Sequence, residues 1–389
     1  MNKRNVIVSM VYILLSNMTE NFPLLIHSAN AAGISMGIQA NSSTGYDSNI
    51  YRTKNNKVGN RIQTYGAGAN LTMSLSRVKF DSIYTGNYRI VSVKNYDDSE
   101  KHRLISSIGW TKNDYSRLQI TGAYDINYDP RGSTKSILNV NLANAKYISR
   151  SVGSILKLPL PVRDIRLSIV GNMSEQRYEN VSNRDLDNRI ISVIPELSYK
   201  YSGKTSIVSG YGLSFTNYIS SANSTNSDST YNIFVGTRWN VTGKTSGHML
   251  VGYQTSFNNE NKLGNSGLST SLSIIWSRKS YSKVFVKLDR SSKSFPSEYD
   301  NYYVSNVARV TWEHIFTKKL IIDVSSSYKY IQLRSTRGIS TTDIALKLKY
   351  KLFKEIGVST SAKYIMSGAS GEYFGYYSQY YYADIYVGF

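Results

Sequence analysis

The sequence predicts an all-β chain: a single transmembrane antiparallel up-and-down β-barrel of about 18 strands behind an N-terminal signal peptide. Three observations predict it. Apolar and polar residues alternate along most of the 389 residues, short connections alternate with long ones, and the last strand alternates up to an aromatic end. Period-2 alternation marks a strand with two unlike faces, and no sustained 3.6-residue apolar pattern competes with it.

Composition removes the competing classes. There is no cysteine, which excludes a disulfide scaffold and any thiolate-ligated metal. The formal charge is +20, yet 33 Tyr and 11 Phe are far too many for a disordered basic tail. Past the N-terminus no run of about 18 apolar residues exists, which excludes membrane-spanning helices.

The elements follow in chain order. Lys3 and Arg4 precede an apolar run at 6–15, and 28–32 contains an Ala-x-Ala pattern. This reads as a signal peptide over 1–32, cleaved after Ala31 or Ala32, with the barrel at 33–389. Strands are expected at 34–46, 61–74, 81–93, 102–110, 117–128, 137–147, 163–178, 189–201 and 205–218. They continue at 230–241, 246–257, 267–277, 281–289, 302–314, 319–331, 341–353, 356–366 and 378–389. Segment 118–128 shows the pattern: Leu118, Ile120, Tyr124 and Ile126 on one face, Gln119, Thr121, Asp125 and Asn127 on the other. Pro159 and Pro161 make 148–164 a long periplasmic connection, folded partly inward.

Short turns at 202–204, 242–244, 317–319 and 354–355 alternate with polar stretches at 47–60, 219–229, 258–266, 290–301 and 367–377. Short periplasmic turns and long outer loops are the connectivity of an outer-membrane barrel. Trp110, Trp239, Trp276 and Trp312 fall near the ends of even-numbered strands, on one rim, as an aromatic girdle. Tyr381, Ala383, Ile385, Val387 and Phe389 alternate along the last strand and read as a signal for the outer-membrane assembly machinery.

A charge facing lipid at the midplane costs about 2–4 kcal/mol, so the apolar face must point outward. The lumen then receives Arg89, Arg103, Arg166, Lys200, Arg238, Lys287, Arg309, Lys329, Lys347, Lys349, Lys351 and Lys363. Its acids in this register are Asp125, Glu196, Asp289, Asp323 and Asp343. Low-dielectric walls focus this positive field and favour anions. A ring of about 18 strands encloses a backbone cylinder of roughly 36 Å, which leaks unless loops narrow it. His102, His248 and His314 form no nucleophile or metal motif, so no catalytic, cofactor or metal residue and no enzyme activity is expected.

Three short motifs add a resemblance. Gly45-Tyr46-Asp47-Ser48-Asn49-Ile50-Tyr51-Arg52, Tyr84-Thr85-Gly86-Asn87-Tyr88-Arg89 and Asp129-Pro130-Arg131-Gly132-Ser133 resemble the first hairpin, third strand and a loop of an outer-membrane β-barrel porin family found in exopolysaccharide gene clusters. That family's usual first hairpin has paired acids where this chain has Asp47-Ser48. The resemblance implies an 18-stranded channel that carries a secreted polysaccharide through the outer membrane of a Gram-negative bacterium beside a periplasmic polysaccharide export protein. Outer-membrane lipids and the polysaccharide are the remaining partners, and no nucleic acid is expected. A general or anion-preferring diffusion porin for small solutes is the alternative. A surface-binding protein using a Tyr-rich loop at 373–382 is a third reading.

Overall fold

A computed structural model describes residues 33–92, 98–113, 116–129, 145–162, 164–219, 227–242, 244–258, 263–279, 281–294, 302–333, 338–369 and 375–388. The expected signal peptide, Phe389, most of the strand expected at 137–147, and parts of 219–229, 258–266, 290–301 and 367–377 lie outside them.

The strands are β1 (Ile34–Asp47), β2 (Asn60–Leu75), β3 (Val78–Val91), β4 (Ser99–Asn113), β5 (Ser116–Asp129), β6 (Ala145–Pro159), β7 (Ile165–Tyr178), β8 (Asn188–Ser202) and β9 (Thr205–Tyr218). They continue as β10 (Asp228–Thr242), β11 (Thr245–Asn258), β12 (Leu263–Lys279), β13 (Ser282–Ser294), β14 (Tyr302–Ile315), β15 (Leu320–Leu333), β16 (Gly338–Lys351), β17 (Ile356–Ala369) and β18 (Tyr376–Gly388). Each pairs antiparallel with its chain neighbours, and β1 also pairs with β18, so the sheet closes on itself. Closure removes every sheet edge, which a sheet in lipid requires.

Cross-strand partners share a face, so the register assigns every side chain to one wall. Ile344, Leu346 and Tyr350 on β16 are exposed on one face, in line with Tyr328 on β15 and Val310 on β14. Asp343, Lys347 and Lys349 stand on the other. That second face is concave: Arg238 of β10 reaches Glu196 of β8 across β9 at 2.6 Å, and side chains converge this way inside a ring. Apolar residues outward and polar residues inward follow from solvation by lipid on one side and water on the other.

Two expectations are overturned. Segment 148–164 is not a connection folded inward: β6 runs from Ala145 to Pro159, pairing fully with β5 and β7. Pro159 is tolerated because it occupies the last pair, opposite Arg166, where a missing N–H ends the ladder without breaking it. Tyr376 to Tyr382 is strand, not a Tyr-rich loop, because its alternate positions are claimed by β17 and β1.

Candidate functional site

The inner wall carries the chemistry, and its two ends differ. At the extracellular end the chain folds over the barrel's own seam. The β1–β2 connection hydrogen-bonds to β18 through Ser48 N–H to Gln379 O (3.0 Å), Asn49 Nδ2 to Tyr377 O (3.0 Å) and Ser378 Oγ to Asp47 (2.5 Å). Asp47 is fully buried and clamps the Arg52 guanidinium bidentately at 3.1 and 2.9 Å. Arg52 also lies 4.8 Å over the Tyr380 ring and sits at φ +57°, a conformation that costs a non-glycine residue and persists only when its surroundings fix it. Ile50 packs beneath on Ile62 and Val91. This is the segment that carries the first-hairpin resemblance.

The β7–β8 connection also folds inward. Its short 3-10 helix Val181–Leu186 buries Leu186 against Tyr178 and Ala145. Asp187 accepts the Tyr178 N–H at 2.7 Å, and burial raises its carboxyl above the ordinary value. Tyr303 of β14 packs on this cluster and on Ile331, Leu333 and Ile339 of β15 and β16. β7 and β14 stand on well-separated parts of the ring, so these side chains bridge the extracellular mouth.

Midway along the wall three carboxylates are held by a base and a hydroxyl together, and three others by a base. Asp289 takes Lys287 at 2.7 Å and Ser271 at 2.8 Å. Asp343 takes Lys363 at 3.5 Å and Ser327 at 2.9 Å, and Asp384 takes Lys347 at 3.6 Å and Ser359 at 2.8 Å. Asp323 takes Lys349 at 2.6 Å, Asp125 takes Arg103 at 3.2 Å, and Glu196 takes Arg238. His248 adds a 3.3 Å contact to Ser271.

The register places Arg89, Arg166, Lys200, Arg309, Lys329 and Lys351 on this same inner face. Arg309 stands directly opposite Lys287, and Lys351 opposite Gly357 near the periplasmic end of β16. Trp110, Trp239, Trp276 and Trp312 lie on the opposite, outer face close to the periplasmic turns. Around Trp312 the rings of His314, Phe316 and Tyr281 gather, with His314 and Phe316 centroids 4.4 Å apart. His102 is also outward, bonded to the Tyr84 hydroxyl at 2.9 Å. Tyr381, Ala383, Ile385 and Val387 form the outer face of β18.

At the periplasmic end the inner bases form a stripe, of which sequence reasoning named Arg166 and Lys200 and missed Arg117 and Lys157. Arg117 of β5 faces Lys157 of β6 directly across the ladder. Arg166 of β7 and Lys200 of β8 continue it on the next two strands. Like charges directly opposite destabilise a sheet. Arg117 donates to Gln119 at 2.7 Å, but among the described residues neither Arg117 nor Lys157 has a carboxylate partner. The signal was the position of Lys157, hidden because its strand was read as a connection. Asp384 was missed too, although it stands between outward Ala383 and Ile385.

The sequence from residue 35 to 387 matches the family described as "Putative beta-barrel porin 2". A search of curated proteins returns no match. Among solved structures, the outer-membrane protein OpdK of Pseudomonas aeruginosa is similar at 9% identity and TM-score 0.49, covering 91% of this chain and 99% of that one. The FrpB iron transporter of Neisseria meningitidis is similar at 9% identity and TM-score 0.46, covering 94% and 83%. OccAB2 of Acinetobacter baumannii is similar at 8% identity and TM-score 0.47, covering 91% and 98%. An 18-stranded closed barrel with an apolar outer face and a polar wall matches this family over nearly all its strands: the chain belongs to the beta-barrel porin 2 family and resides in the outer membrane of a Gram-negative bacterium.

Proposed function

We propose that this barrel exports an acidic polysaccharide from the periplasm to the cell exterior. One observation carries the reading: Arg117 and Lys157, which among the described residues have no carboxylate partner, face each other at the periplasmic entrance of the inner wall, where a polymer leaving the periplasm arrives. A cationic entrance between low-dielectric walls concentrates anions and raises their rate of capture. Further up, Ser271, Ser327 and Ser359 line a wall of neutralised charges, which a hydrated sugar chain slides past without being trapped. The side chains that meet across the extracellular end, from Leu186 and Tyr178 to Tyr303, narrow the path there. A periplasmic export protein is the partner this direction of transport calls for.

The second reading is an anion-preferring porin for small-solute uptake, favoured by Arg309 standing opposite Lys287 halfway up the wall. A deletion strain separates the two. Loss of surface or matrix polysaccharide with intact synthesis, restored by the full chain, supports export. Unchanged polysaccharide with reduced uptake of an anionic nutrient overturns it in favour of uptake.

A further inference from the structure

The outer face of the barrel holds charge where lipid should cover it. On β5 to β8, near the extracellular end, Tyr124, Arg150, Glu175 and Arg189 are successive cross-strand partners on the lipid-facing side. Both oxygens of Glu175 are taken: Oε1 by Arg177 at 3.0 Å and Oε2 by Arg189 at 2.6 Å. Arg177 lies in addition 3.8 Å from Asp187. Arg150 is exposed, lies 5.9 Å over the Tyr124 ring, and among the described residues has no carboxylate partner. Ile148 and Val152 flank it along its own strand. Higher up, Glu100 at 3.4 Å and Glu179 at 3.0 Å are engaged with Lys146, whose own charge is thereby met.

A guanidinium on a lipid-facing wall is costly unless an anion meets it. Glu175, directly opposite Arg150, has both oxygens bonded to Arg177 and Arg189, so a direct anionic partner for Arg150 has to come from the surroundings. One row nearer the membrane centre, Gly122, Val152, Met173 and Ile191 are mutual partners on the same face. Val152 is 57% exposed, and Gly122 has nothing within 4 Å of where a Cβ would stand, which leaves a shallow depression beside it. An anionic headgroup at Arg150 and Arg189 therefore sits directly above a surface shaped for hydrocarbon chains.

We propose that this patch binds a phosphorylated glycolipid of the outer leaflet, its phosphate ester bridging Arg150 and Arg189 and its acyl chains lying over Gly122, Val152, Met173 and Ile191. Phosphate suits the planar guanidinium fork, and Tyr124 holds the cation from one side while leaving its N–H groups to the ligand. The site lies on the opposite wall from the transport path, so it stands whether or not the export reading does.

The test is native mass spectrometry of the folded barrel in detergent, titrated with bis-phosphorylated lipid A, with enzymatically dephosphorylated lipid A, or with inorganic phosphate. The phosphorylated form should be retained, and Arg150→Gln should weaken it by about 10-fold, the order of one charge-assisted hydrogen bond. Arg150→Gln strands no carboxylate, and its folding is checked by heat-modifiable migration. Gly122→Leu, which fills the depression and leaves every arginine in place, should weaken the same complex. Arg290→Gln, on the outer face of β13 and already bonded to Asn306 at 3.1 Å, should leave it unchanged. Equal retention of dephosphorylated lipid A, competition by inorganic phosphate at similar concentration, undiminished binding by both Arg150→Gln and Gly122→Leu, or an equal loss in Arg290→Gln would overturn the proposal.

Discussion

At the extracellular mouth the charges are spent on structure, while at the periplasmic entrance they are left open to water. Asp47 and Arg52 consume each other at the seam, with the aspartate fully buried. Arg117 and Lys157 face each other across the ladder, and among the described residues neither has a carboxylate partner. A buried pair repays its desolvation only if every lone pair and proton is used, which the Ser378 and Asn49 bonds at the seam accomplish. An exposed, uncompensated pair repays nothing to the fold, and its charge is left to act on an anion.

Breaking the seam should have the largest effect. Asp47→Ala leaves the Arg52 guanidinium buried and unpaired, a loss of about 3–5 kcal/mol. It should appear as a lower temperature for the folded-to-unfolded gel shift and a lower urea midpoint. Arg117→Ala, which removes a like-charge pair, should leave both unchanged or slightly raised, and an equal loss from the two would erase the distinction between the ends.

Opening the mouth comes next. Tyr303→Ala removes the ring that joins the Leu186 cluster to the Ile331 cluster. Single-channel conductance in planar bilayers should rise several-fold while the fold survives, because the barrel ladder is untouched. An unchanged conductance would show that the current does not pass this point.

Charge reversal then sharpens the contrast along the wall. Arg117→Glu with Lys157→Glu should shift the reversal potential away from anions at low salt, where screening is weakest. Lys349→Glu instead confronts Asp323, its partner at 2.6 Å, and should act mainly on stability. The inward lysines Lys347, Lys349 and Lys351 are therefore not alike: Lys347 and Lys349 are neutralised by Asp384 and Asp323.

The smallest effect concerns pH. Burial raises the Asp187 carboxyl above 3.8, so the folded connection prefers the protonated acid. The stability this contributes is full below the ordinary value and is lost as pH rises through the raised one. Conductance should fall modestly on acidification through that window. Asp187→Asn should remove the dependence, and a pH response that survives the substitution would assign it elsewhere.

The alternation along 344–352 and 118–128 fixes which side chains face lipid, since a strand with period 2 has only two faces and lipid accepts only one of them. Strand number and the position of short turns follow from the same pattern, because each crossing must be long enough to span. The pattern failed at β6, where Arg150 and Ser154 occupy outward positions and Pro159 mimics a break. The feature that hid the strand is the one that marks the outer arginine patch. What the sequence could not determine is which inward charges meet. Lys347 finds Asp384 across an intervening strand, Ser378 finds Asp47 from the other end of the chain, and Tyr303 finds the cluster of Ala145, Tyr178 and Leu186 across the mouth. These partners are set by closure of the ring and by loops folding into it, and period-2 spacing carries no information about either.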